Sequence, residues 1–354
     1  MKAWEKNFRR VEPYTPGEQP EFSDMIKLNT NENPYPPSPK VAEAAAGLCG
    51  ETGKFRLYPD FKAGALVDAL AGYYGLSGEQ VFVGVGSDDV LSVAFLTFFN
   101  SGRPVLFPDI TYSFYDVWAQ VYGIPYERPA LDGDFRIRRE DYYRENGGIV
   151  IANPNAPTSV AEGLGFIEDI VRHNQESVVV VDEAYVDFGG TSALPLLSKY
   201  ENLLIVQTFS KSRSMAGVRI GYAMGHPTLI RAMNDVKYSI NSYTMNYPSL
   251  LLGAAAIKDD TYFKECCEKI IRTREWAKDA LCGLGFACLE SSANFLFATH
   301  ESMPAKKIFA ALKERGIFVR YFDRPRIENY LRITVGTQEQ MEKLGKALAE
   351  ILGQ

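Results

Sequence analysis

A lysine, a serine and an arginine at close spacing mark the chemistry open to this chain. In TFSKSRSMAGVRIGY, residues 208–222, Lys211 follows an apolar run, LLIVQTF. Ser210 precedes it, Gly217 follows, and Arg219 lies eight positions on. A lysine amine condenses with an aldehyde to give an imine. An arginine forks two hydrogen bonds to a phosphate, and a hydroxyl adds another. Glycine lets the chain turn tightly back beneath such a ligand. The set fits a phosphorylated aldehyde; a loop lysine between two strands is the plainer alternative.

Other residues suit the same ligand. Gly86, Ser87 and Asp88 follow VFVGV and open a helical stretch. A helix start offers free backbone N–H groups and a positive dipole end, a ready phosphate site. It is equally an ordinary N-cap. Asp182 ends SVVVVD, and Tyr185 follows in DEAY. A carboxylate at the mouth of a buried strand is costly without a partner. A protonated pyridine nitrogen would be one, and the cationic ring would then accept carbanion electrons. Tyr185 would hydrogen-bond a phenolic oxygen on that ring. Asn153, directly after GIVIA in NPNAPTS, could share the oxygen, although Asn-Pro also reads as a turn. Tyr112, in PDITYSFYDVW, could stack on the ring or join Phe114, Tyr115 and Trp118 in a core. Arg332, in YLRITVG, could clamp a carboxylate. Arg320, in IFVRYF, could meet a second anion or form a surface ion pair.

These residues need a scaffold. The runs VFVGV, PVLF, GIVIA, SVVVVD, LLIVQTF and RIGYAM alternate with helical stretches. Most are continuously apolar, which predicts strands buried on both faces of a mostly parallel sheet flanked by helices. Ligands sit beyond the carboxyl ends of such strands. The polar residues above fall there. The expected organisation is α/β: a polar arm over 1–25, a large domain over 26–245, and a smaller α+β domain over 246–354. The small domain offers NFLFAT, IFVRYF and YLRITVG as strands, then a closing helix. NENPYPPSP, residues 31–39, is neither helix nor central strand because of its prolines.

Composition narrows the classes. The 354 residues suffice for two domains and a core without disulfides. A net charge of −6 argues against a nucleic-acid surface. Cys49, Cys266, Cys267, Cys282 and Cys288 are odd in number and lack metal-site spacing, so they read as reduced thiols in a cytoplasmic protein. His173, His226 and His300 form no cluster, and no metal is expected. The longest apolar run, VLSVAFLTFF, is too short to span a bilayer and reads as a buried helix. The N-terminus lacks the apolar centre of a signal peptide.

Taken in order, NENPY, YPD, GSD, the aromatic after PDITY, NPNAPT, DEAY, SKSRSMAGVR and LRITVG resemble the fold-type-I pyridoxal-phosphate aminotransferases over nearly the whole chain. The resemblance implies pyridoxal 5'-phosphate as cofactor, with Lys211 as its Schiff-base lysine and proton shuttle. Asp182 would pair with the ring nitrogen. Asn153 and Tyr185 would contact the ring oxygen, and Tyr112 would stack on the ring. Ser87, Asp88, Ser210 and Arg219 would hold the phosphate. Arg332, Arg320 and Asn33 would bind substrate. Tyr58, in LYPD, would reach across a homodimer interface to the partner's cofactor phosphate. The implied reaction is amino transfer between histidinol phosphate and 2-oxoglutarate. Transfer from aromatic amino acids and decarboxylation of threonine phosphate are the alternatives. The family often reads NPNNPTG, so Ala156 and Ser159 depart from its pattern, and SRSMAG is more polar than usual.

Overall fold

The computed structural model describes residues 2–15, 17–19 and 25–353, so part of the predicted arm lies outside the described residues. In chain order the elements are β1 (Ile26–Lys27), α1 (Pro39–Leu48), α2 (Gly64–Tyr74), β2 (Val81–Gly84), α3 (Ser87–Phe98), β3 (Val105–Leu106), α4 (Phe114–Tyr122), β4 (Tyr126–Glu127), β5 (Gly148–Ala152), α5 (Leu164–His173), β6 (Val179–Asp182), β7 (Leu203–Thr208), β8 (Gly221–Gly225), α6 (Pro227–Ile240), α7 (Tyr247–Ile257), α8 (Asp260–Gly283), β9 (Phe286–Cys288), β10 (Phe295–His300), α9 (Ala305–Glu314), β11 (Ile317–Phe318), β12 (Arg320–Tyr321), β13 (Leu331–Thr334) and α10 (Gln338–Leu352).

Seven strands form the large sheet in the order β2-β8-β7-β6-β5-β3-β4. Only β8 runs against its neighbours, pairing antiparallel with both β2 and β7. The continuous apolar runs are explained by two cores. Ile149, Ile151, Val179, Val181, Leu203 and Ile205 face one layer. Val150, Val180, Leu204 and Val206, the residues between them, face the other. Side chains alternate across a strand, so a strand covered on both faces must be apolar at every position.

The small domain is built on a four-stranded antiparallel sheet, β12-β13-β10-β9. IFVRYF is not one strand. Its first half, β11, pairs in parallel with β1, and its second half, β12, joins the four-stranded sheet. The opening residues 26–27 are thus tied to the small domain. α7 packs on α1 and α2, and α8 then leads into the small domain.

Candidate active site

A cavity of about 1100 Å³ opens beyond the carboxyl ends of β5, β6 and β7. Lys211, Asp182, Tyr185, Ser87, Asp88, Tyr112, Ser210, Arg219, Arg320 and Arg332 all line it. Residues 245 positions apart in sequence therefore line one cavity (Ser87 and Arg332). Lys211 leaves β7 by a short loop, and its Nζ donates to the Thr30 carbonyl at 3.0 Å. The polar tail of that loop is structural. Ser212 donates to Asp187 at 2.5 Å, and buried Arg213 donates to the Ala256 carbonyl at 3.2 Å with its guanidinium 4.0 Å from the Phe263 ring centre. These bonds anchor the loop from below, so the lysine is presented from a rigid base.

α3 begins at Ser87, which lines the cavity, so the free N–H groups of its first turn stand at the cavity wall. Arg219 approaches so closely that a Cβ on Gly86 would lie 2.4 Å from its Nη2, and Gly86 has φ +84, so only glycine fits there. Gly221 passes beneath, where a Cβ would meet the Ser87 nitrogen at 2.3 Å. Thr208 donates to the Ser210 hydroxyl at 3.0 Å, and both line the cavity. A helix start, three hydroxyls and a guanidinium make a donor set matched to a phosphate. The Asp88 carboxylate does other work. It accepts from the Tyr112 hydroxyl at 2.8 Å and faces Arg219 at 3.5 Å, fixing the ring that would flank a planar ligand.

Asp182 lines the same cavity. It accepts from the Tyr115 hydroxyl at 2.8 Å and from the Ala184 nitrogen at 3.2 Å. Burial pushes its carboxyl up to about 6, against the pull of those two bonds. A protonated ring nitrogen would offset that cost. Its neighbour Glu183 stands outside the cavity lining and accepts from Gln207, Ser192 and Ala193, with burial raising it to about 7. A phosphate cradle, a lysine amine and a buried carboxylate therefore surround one space, which fits pyridoxal phosphate.

Two residues expected in this cavity stand elsewhere. Asn153 is outside the lining, because its amide closes on the Glu162 backbone, donating at 3.0 Å and accepting at 2.8 Å. Ala156 takes the cavity position and offers only a methyl group. Asn33 is a brace rather than a substrate contact. It donates to the Lys211 and Ser212 carbonyls at 3.1 and 3.2 Å, holding the lysine loop. Tyr58 lies outside this cavity, 81% exposed and stacked on Tyr243 at 4.5 Å. Ser159, where glycine is usual, holds φ 68 and is buried.

Four contributors were not expected from the sequence. Tyr115 is the partner of Asp182, although it stood among the core aromatics. Tyr14, from the arm, stacks on Phe114 at 4.3 Å and lines the cavity. Thr208 supplies a cradle hydroxyl, and Asn31 donates to the Tyr185 hydroxyl at 2.9 Å. Only the NENPY motif hinted at the last of these.

Residues 23–348 match the family described as aminotransferase class I and II. The chain is 51% identical over 345 residues to a histidinol-phosphate aminotransferase of Lactococcus lactis subsp. lactis, covering 97% of this chain and 94% of that one. It is 50% identical over 341 residues to a histidinol-phosphate aminotransferase of Clostridium botulinum, covering 96% of each. The fold is similar to the crystal structure of histidinol-phosphate aminotransferase from Sinorhizobium meliloti in complex with pyridoxal-5'-phosphate, with a TM-score of 0.85 and 25% identity over 93% of this chain and 91% of that one. The two-domain architecture is fold type I, and the chain belongs to the aminotransferase class I and II family.

Proposed function

We propose that this chain is a pyridoxal-phosphate-dependent aminotransferase that moves the amino group of histidinol phosphate to 2-oxoglutarate, in histidine biosynthesis. One observation carries the substrate reading: Arg320 and Arg332 stand opposite each other across β12 and β13 on the cavity wall. Directly opposed residues of an antiparallel pair share a face, where like charges repel. Burial lowers the Arg332 guanidinium from its usual range, and Arg320 adds to this. Arg332 gives Nη2 to the Asn29 carbonyl at 3.0 Å, while its buried Nε has no partner among the described residues. A phosphate monoester brings two negative charges to two guanidiniums. Relatives of about half identity carry the matching name.

Bound pyridoxal phosphate supplies an aldehyde that takes the amino group and a ring that takes up the electron pair of the broken C–H bond. Ser87, Thr208, Ser210 and Arg219 would hold its phosphate, Asp182 its ring nitrogen, Tyr112 its ring face and Tyr185 its ring oxygen. Lys211 would hold its aldehyde carbon. Once displaced by the substrate amine, Nζ would carry the proton from the amine-bearing carbon. The Thr30 carbonyl keeps that amine on the cavity side.

Charge-assisted contacts are worth about 1.5–3 kcal/mol each, or roughly tenfold to a hundredfold. Arg332→Ala should lower kcat/KM for glutamate and histidinol phosphate together by that factor. Arg320→Ala should lower it for histidinol phosphate more than for phenylalanine. A wild type that prefers phenylalanine over histidinol phosphate would replace this reading with aromatic amino transfer. Equal losses on all three substrates would make Arg320 structural.

The partner, on this reading, is a second copy. Phe55, Leu57, Tyr58, Phe61, Ile240 and Tyr243 are exposed, and ring contacts join Tyr58 and Phe61 to Tyr243. Exposed apolar patches of this kind mark interaction surfaces. By the family resemblance, Tyr58 would meet the partner's cofactor phosphate. Light scattering on the purified enzyme should give a dimer mass, and Tyr58→Phe should raise the pyridoxal phosphate concentration for half-saturation roughly tenfold, the loss of one charge-assisted bond. A fully active monomer would overturn the reading. Among the described residues no helix is long and apolar enough to cross a membrane. All five cysteines are unpaired, which supports a cytoplasmic location.

A further inference from the structure

Tyr185 has a partner to which the reading above gives no task. Its hydroxyl accepts a hydrogen bond from the Asn31 side-chain nitrogen at 2.9 Å. Asn31 is 1% exposed, sits at φ 57, and belongs to the segment that also supplies the Thr30 carbonyl to Lys211. The Thr334 hydroxyl accepts from the Asn31 backbone N–H and donates to the Asn31 Oδ1, each at 3.0 Å. That leaves Nδ2 to face Tyr185. Asn294 closes the set by donating to the Asn31 carbonyl at 3.0 Å.

A phenol has one proton and can accept as well as donate. With Asn31 donating to it, the Tyr185 oxygen is held as acceptor on that side, and its own proton is left for the cavity. On the cavity side Ala156 offers a methyl group, and the Tyr185 ring packs with Ala156, Ala293 and Phe295. No asparagine at position 156 shares the task. We infer that Asn31 is a positioning residue that keeps Tyr185 a hydrogen-bond donor to the ligand's ring oxygen, in place of an amide at position 156. The inference rests on the pyridoxal-phosphate reading of the site.

A hydrogen bond donated to the ring oxygen stabilises its deprotonated form. An accepted bond polarises the phenol and strengthens the one it donates. Loss of Asn31 should therefore move the pH midpoint of the holoenzyme's visible absorbance upward. The groups around Tyr185 that also act on this midpoint are Lys211, Arg332, Tyr14, Tyr112 and Tyr115, with Asp182 on the Tyr115 hydroxyl. All stay in place in the variants.

The experiment is an absorbance–pH titration of the pyridoxal-phosphate-loaded enzyme in five forms: wild type, Asn31→Asp, Asn31→Gly, Tyr185→Phe and the Asn31→Gly/Tyr185→Phe double variant. Aspartate keeps the shape and tolerates a left-handed φ, but at neutral pH it only accepts, so it turns the Tyr185 proton away from the cavity. Asn31→Gly, which also tolerates that φ, provides a second single variant that removes the donor. Both single Asn31 variants should raise the midpoint by about half a pH unit or more, in the direction of Tyr185→Phe. The double variant should sit with Tyr185→Phe alone, because the two act as one unit. An unchanged midpoint in both Asn31 variants overturns the inference. So does an undiminished Asn31 effect in the Tyr185→Phe background, which would show that it does not act through the tyrosine. A wild type that takes up no pyridoxal phosphate and shows no visible band overturns the cofactor reading itself.

Discussion

Lys211→Ala should lower kcat by at least about 10⁴-fold while pyridoxal phosphate still binds without a covalent link. Lys211 is the single lysine on the cavity wall among the described residues, so no other amine is placed to replace it. The cradle does not depend on it. Ser210, Arg219 and Asp182 are positioned by other contacts, and Asn33 holds the loop by its backbone carbonyls, which alanine keeps. Equilibrium dialysis should therefore detect the cofactor on the variant. In wild type, borohydride reduction followed by peptide mapping should find the pyridoxyl group on Lys211. A label on another lysine would remove the assignment on which the mechanism depends.

Asp182→Asn should cost about 10³-fold in kcat, the scale of losing a preorganised electrostatic contact to charge that develops during the reaction. It should also have an opposite effect on the cofactor-free protein. There the carboxyl rises to about 6 from 3.8, because burial disfavours its charge. Between about pH 4 and pH 6 the folded state holds a proton that the unfolded chain has released, so stability falls as pH rises through that window. Above it the penalty is complete and worth roughly 3 kcal/mol. Asparagine carries no charge to bury. Cofactor-free Asp182→Asn should melt above cofactor-free wild type at pH 7.5, and this advantage should vanish below about pH 4. Adding pyridoxal phosphate should restore the lead of the wild type. Near-normal turnover in Asp182→Asn would contradict the pairing with a ring nitrogen.

Where a signal is local and repeated, the sequence carries it. A strand covered on both faces must be apolar throughout, so β5, β6 and β7 could be read from GIVIA, SVVVVD and LLIVQTF. The polar residues at the ends of SVVVVD and LLIVQTF then pointed to the site; the one after GIVIA did not. Two-residue strands such as β1 and β4 have no pattern of their own and exist only through their partners. The run IFVRYF looked like one strand because its apolar text is unbroken; two different sheets claim its halves. The misplacement of Asn153 has a similar cause. NPNAPTS contains two asparagines and a loop whose direction is set by Glu162, and nothing local says which side chain meets the cavity. Tyr115 and Tyr14 were hidden for another reason. Their roles rest on contacts with Asp182, 67 positions away, and with Phe114 at the start of α4, neither of which leaves a mark at the tyrosine itself.

The tie between Asn31 and Thr334 spans 303 positions, and β1 waits for a partner at Ile317 and Phe318. A ribosome makes the second partner of each pair long after the first. Such distant pairings form late in folding, whereas the seven-stranded sheet, complete by Gly225, can assemble while the rest is still being made. The growing chain thus acquires the proposed cofactor cradle before the arginines proposed to choose a substrate. A product that stops short of Leu331 would lack both Arg332 and Thr334. On the reading proposed above, it would keep Lys211 and the phosphate cradle but lack an arginine proposed for the substrate.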